Sequence, residues 1–209
     1  MTLHRYSSLR TYSDKQHKFQ YRKSVPYGWD THLSRGACVV ASLHWLDAKI
    51  HQREPFIVTA DRHSGNRDLL MSLENPHSDY LLNGYTVEQL IYYSDFQLQL
   101  ASSETGLANG APEGGLTDAV VAAQRLGRAA TLLGPGRGAL VGLNVEGANG
   151  ARTDHVVAIF RSANYELFFF DSTCGEYRVT HPNGFFTEWA RITRARFVAG
   201  RHVWFVMAR

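Results

Sequence analysis

Two cysteines in 209 residues, Cys38 and Cys174, are too few for a disulfide framework. That usage suits a chain that folds or works in a reducing compartment. No run reaches the roughly 18 apolar residues of a membrane-spanning helix. The opening Met-Thr-Leu-His-Arg lacks the apolar stretch of a secretory signal, and Thr2 stands where N-myristoylation needs glycine. There is no Cys-x-x-Cys or His-x-x-x-His pair, which argues against zinc. The glycine clusters contain neither Gly-Lys-Ser/Thr nor a Gly-x-Gly-x-x-Gly after a strand, so phosphate binding is a poor expectation. Internal repeats are absent as well.

What is present fits one globular domain with a modest appendage. Hydrophobic residues make up 44% of the chain and charged residues 20%, enough to bury a sizeable core. The formal net charge is +3, but residues 1–28 carry six Lys/Arg against Asp14 alone, so the basic character belongs to the N-terminus. Residues 1–27 therefore read as a basic, disordered leader for export or tethering, with membrane contact through its charge. No nucleic-acid-reading module is recognisable, and no nucleic acid is expected as a partner.

From residue 28 onward the periodicity changes along the chain. Val39, Leu43, Leu46 and Ile50 recur at helical spacing and predict a helix over 37–52, stopped by Pro55. Phe56–Thr59 reads as a short extended run and 67–74 as a helix. Thr86-Val-Glu-Gln89 has capping-box spacing ahead of a further helix. Phe96, Leu98 and Leu100 alternate as in a strand, 102–116 reads as a loop, and a helix follows from Asp118 to Leu133. Short apolar runs at 139–145, 155–161, 167–171 and 177–180 predict an antiparallel meander. Phe185, Trp189 and Ile192 mark one face of a short helix, and His202–Met207 a last strand. The expected class is α+β, a helical N-terminal half packed on a C-terminal antiparallel sheet.

Chemistry concentrates at three places. In Ser34-Arg-Gly36-Ala-Cys38-Val a turn runs into a helix with the cysteine at the junction. Unpaired N–H groups and the macrodipole there favour a thiolate over a thiol. His155 begins one predicted strand and Asp171 ends the next, with a turn near Ser162–Tyr165. Antiparallel pairing then brings the two to one end of the sheet. Cysteine, histidine and carboxylate together suit a relay in which Cys38 is nucleophile, His155 base and acid, and Asp171 orienter. His44 and Trp45 read as packing residues, and Cys174 as structural.

These motifs resemble, within the papain superfamily, the YopT and AvrPphB family of bacterial effector cysteine proteases. In that family a Gly-x-Cys turn opens a helix with a Ser/Ala-x-His-Trp-like continuation; here the residues are Gly36-Ala-Cys38 and Ser42-Leu-His-Trp45. The family's Phe-Asp-Pro-Asn-x-Gly-Glu-Phe-like segment is matched by Phe170-Asp171-Ser-Thr-Cys-Gly175-Glu176-Tyr177. The resemblance covers roughly residues 30–180. It implies a papain-like domain over 28–209. Papain-like enzymes carry a Gln or Asn just before the cysteine as an oxyanion donor, whereas Asp30–Ser34 contains no amide. The candidate oxyanion donors are therefore the backbone N–H of Cys38 with His32 or Ser34.

The resemblance further implies a thiol protease that needs no cofactor or metal. It implies secretion by a bacterium and cleavage of a peptide bond in a host protein, such as a small GTPase or a kinase, in the host cytoplasm. A secretion chaperone is an expected partner. The same triad also serves a Gln/Asn deamidase or an acyl or amine transferase, since all proceed through a thioester. A cell-wall amidase and a non-catalytic binding module are the remaining alternatives.

Overall fold

The structure, a computed structural model, describes residues 6–17, 37–53, 84–93, 96–105, 118–146, 150–197 and 201–209. Seven strands lie within them: β1 (Ser13–His17), β2 (Leu98–Thr105), β3 (Arg137–Glu146), β4 (Arg152–Arg161), β5 (Leu167–Asp171), β6 (Gly175–Val179) and β7 (His202–Ala208). They form one sheet in the order β1-β6-β5-β4-β3-β7-β2, with every neighbouring pair antiparallel. The helices are α1 (Ala37–Ile50), α2 (Val87–Tyr93), α3 (Asp118–Leu132) and α4 (Pro182–Thr193). None of these helices is long and apolar enough to cross a membrane.

The strand period of two divides the core into two layers. Ala139, Val141, Val157, Ile159 and Phe169 point to the side covered by α3 and α4. Leu140, Val156, Ala158, Phe160 and Phe170 point to the side covered by α1 and α2. Helix α1 buries Val39, Val40, Ala41, Leu43, Trp45 and Leu46, so it is wrapped by neighbours on most of its circumference. It can approach β3 closely because residue 138 is glycine. A Cβ there would stand 2.4 Å from Leu46 Cδ2 and 3.2 Å from the Ile159 carbonyl oxygen. The capping box forms reciprocally at α2: Gln89 N–H donates to Thr86 Oγ1 at 3.2 Å, and Thr86 N–H to Gln89 Oε1 at 2.8 Å.

The α+β class and the central β3-β4-β5-β6 meander agree with the sequence reading, and three details differ. Residues 7–17 are ordered and packed on the domain, where a disordered segment was expected: Ser7–Thr11 is a 3-10 turn with Leu9 fully buried, and β1 pairs with β6. The Lys and Arg side chains there mask a strand that is an end strand of the sheet among the described residues, where charge is the usual residue choice. Strands also come from the N-terminal half, since β1 and β2 form the two sheet edges, and 102–105 belong to β2 and not to a loop. Strand β4 starts at Arg152, so His155 is its fourth residue and not its first. The expected run at 56–59, the helix at 67–74, and His32 and Ser34 lie outside the described residues.

Candidate active site

Three elements converge on one end of the sheet. Cys38 is the second residue of α1, His155 lies in β4, and Asp171 is the last residue of β5. The register decides the second meeting. Ala158 pairs with Phe170 and Ile159 with Phe169. Continuing it one step sets Asp171 opposite Val157, two residues from His155 on the same face. Such diagonal neighbours are within side-chain reach. His155 Nε2 donates to Asp171 Oδ1 at 2.9 Å, with Asp171 fully buried and His155 7% exposed. An ionised carboxylate only accepts, so Nε2 carries the hydrogen. This leaves Nδ1 for Cys38, whose partly exposed thiol hydrogen-bonds the His155 side chain and the Val156 backbone. Ser42 Oγ, one turn further along α1, donates to the Val156 carbonyl at 3.3 Å.

The charges in this chain reinforce each other. Burial alone would raise the Cys38 pKa, but the hydrogen bond to His155 and its positive charge outweigh that and bring the thiol below its ordinary 9.0. Burial works to lower His155, yet the Asp171 charge and hydrogen bond, with help from Cys38, push it up to about 10. Asp171 is driven up by burial and pulled further down by His155 and Thr173, ending well below the usual carboxylate range. The two shifts run in opposite directions and both favour moving the proton from the Cys38 thiol to the His155 imidazole. Cys174 is different: burial and the Asp171 charge hold its thiol well above 9.0.

No family model matches the chain, and no curated protein does. Among solved structures it is similar to the crystal structure of the Pseudomonas avirulence protein AvrPphB, with a TM-score of 0.54 and 13% identity. The likeness covers 95% of this chain and 98% of that one. The fold is papain-like.

Within this papain-like fold, the helix bearing Cys38 and the strands bearing the acid are pinned together. Trp45 stacks on Phe170, the neighbour of Asp171, with ring centroids 5.4 Å apart. Its Nε1–H donates to Glu176 Oε2 at 2.8 Å, and Lys49 Nζ lies 2.6 Å from Glu176 Oε1. A carboxylate that is 1% exposed is thus paired and hydrogen-bonded, which is what burial of a charge requires. The His-Trp and Gly-Glu motifs are two halves of one contact. Gly175 has φ of 104°, outside the range comfortable for other residues, and lets the chain reverse directly after Asp171.

Two residues around Asp171 escaped the sequence reading. Thr173 donates to Oδ1 from both its backbone N–H, at 2.8 Å, and its hydroxyl, at 2.7 Å. Trp189, on α4, donates Nε1–H to Oδ2 at 2.9 Å. The available signals were slight. Thr two residues after Asp fits an Asx turn, and a tryptophan on a buried helix face needs an acceptor for its N–H. Cys38 lies in the first turn of α1.

Proposed function

We propose that the protein is a papain-type thiol protease. The observation that supports it best is the hydrogen-bonded series Cys38–His155–Asp171, with a lowered thiol pKa at one end and a raised imidazole pKa in the middle. In this reading the Cys38 thiolate attacks the scissile carbonyl carbon. The developing oxyanion accepts from the Cys38 backbone N–H, with His32 or Ser34 as the second donor. The His155 imidazolium gives its Nδ1 proton to the departing amine as the C–N bond breaks, leaving a thioester. Neutral His155 then takes a proton from water, whose oxygen attacks the thioester. The C–S bond breaks, releasing the acid and restoring the thiolate and imidazolium. Asp171 stays ionised throughout and holds the imidazole in the tautomer that presents Nδ1 to sulfur.

The substrate class follows from the effector resemblance: a host-cell protein, such as a small GTPase or a kinase, met after secretion from a bacterium. A secretion chaperone and a membrane surface are the further partners of this reading.

The test is intact-mass spectrometry of a proteome-derived peptide library incubated with the enzyme and with Cys38→Ala. Paired fragments summing to a parent peptide plus water, absent with the variant, are expected. Products that keep one chain and gain about one dalton would replace the protease reading with deamidation through the same thioester. Equal products from enzyme and variant would sink both.

A further inference from the structure

The donors around Asp171 are arranged unevenly. Oδ1 accepts from His155 Nε2–H and from both Thr173 donors, Oδ2 accepts from the Trp189 indole, and the buried Cys174 thiol also donates to the carboxylate. An indole N–H and a backbone N–H can only donate, and His155 Nε2 donates once Nδ1 faces the sulfur. The surroundings therefore ask for an acceptor on both outer atoms of residue 171. An amide, which orients histidine in other Cys-His enzymes, cannot supply that. With its oxygen toward His155 and Thr173, its NH2 would face the Trp189 N–H across 2.9 Å, donor against donor. Turned over, the NH2 would oppose His155 and Thr173 instead. Residues 171 and 189 are both 0% exposed, so water cannot fill the gap.

We propose that Trp189 is a positioning residue that makes the carboxylate obligatory at position 171. Its N–H pins Oδ2, which stops the carboxylate from rotating and keeps Oδ1 on His155 Nε2. The inference rests on the triad reading above. It goes beyond packing: Trp189 also stands against Phe169, with ring centroids 5.4 Å apart, and a merely space-filling tryptophan would leave the choice of acid or amide open.

A double-substitution cycle separates the two roles. The readout is the rate of Cys38 alkylation by iodoacetamide across pH, for the unmodified protein, Trp189→Phe, Asp171→Asn and the double variant. Trp189→Phe keeps an aromatic ring and is expected to slow alkylation at neutral pH on the order of tenfold, with the alkaline limb of the profile moved down. Asp171→Asn is expected to lose roughly 10- to 100-fold. The double variant should then react several-fold faster than Asp171→Asn alone, because removing the indole N–H relieves the donor clash. A double variant equal to or slower than Asp171→Asn, with a slow Trp189→Phe, would reduce Trp189 to packing and overturn the proposal. The unmodified protein supplies a check that needs no substitution. The Trp189 indole hydrogen should resist exchange with deuterium, and rapid exchange in the folded protein would also overturn it. If Cys38 in the unmodified protein reacted no faster than an ordinary thiol, the triad reading itself would fall. An additive cycle on a reactive Cys38 would remove only the role of Trp189.

Discussion

Replacing His155 with alanine removes the two strongest influences that bring Cys38 below 9.0 and leaves burial, with the Asp171 charge, opposed only by the weaker hydrogen bond to the Val156 backbone. The thiol then titrates at or above 9.0, so about 1% or less is thiolate at neutral pH. A more basic thiolate is intrinsically more nucleophilic, with a Brønsted slope of about 0.4–0.5, which offsets part of that loss. The net expectation is alkylation of Cys38 by iodoacetamide slowed about 10- to 100-fold at neutral pH, with the gap closing toward about pH 10. The substitution also leaves the buried Asp171 charge without its partner, which costs about 3–5 kcal/mol of stability. Cys174 serves as an internal control for folding. It is 5% exposed with a raised pKa, so it labels only if the chain opens. Peptide mapping after labelling therefore reads both quantities in one sample. A variant whose Cys38 reacts as fast as in the unmodified protein at neutral pH, with Cys174 still protected, would refute the coupling of thiol to imidazole.

Stability should follow pH with a defined sign. Asp171 is held below its ordinary 3.8, so its contribution is present above that value and lost as pH falls through the folded value; urea midpoints should drop between about pH 5 and pH 2, and a flat curve there would contradict the pairing. His155, raised from 6.5 to about 10, contributes fully below 6.5 and loses that contribution as pH rises through about 10. Cys38, held below 9.0, gains over part of the same range and makes the alkaline side shallow. Trp45→Phe keeps the stack on Phe170 but strips a donor from buried Glu176, and should cost about 1.5–3 kcal/mol in urea unfolding. An unchanged midpoint would mean Glu176 finds another partner. Leu9→Ala should cost about 2–5 kcal/mol, because Leu9 is fully buried in the core shared with α3 and α4; a detachable leader would show no change. Gly175→Ala should cost about 1–3 kcal/mol in the same assay through its φ of 104°, and no loss would show that the turn can rearrange.

Much of the central architecture could be read in the chain itself. The period-two runs of β3 through β6 and the 3.6-period stripe of α1 are local patterns, because burial on one face writes itself into the order of residues. The turn between β4 and β5 was equally local, and with it the nearness of His155 and Asp171, since an antiparallel hairpin fixes its own register. The edge strands were harder. Ser13–His17 reads Ser-Asp-Lys-Gln-His, with no alternation to see, and becomes a strand because β6 offers it an edge.

The sequence by itself determined which residue types stand ready: a cysteine at a helix start, and a histidine and an aspartate one hairpin apart. Only the tertiary structure decided what they become. Cys38 lies 117 residues from His155 in the chain, and the packing of α1 on β3 and β4 brings its sulfur to the imidazole. A thiol at a helix start already feels the helix, but the larger push toward thiolate comes from a group that reaches it across the fold. The same holds for Trp189, whose place beside Asp171 follows from the docking of α4. Hydrogen bonds and charges act over a few ångströms in space, and no spacing along a chain records that distance until the layers close.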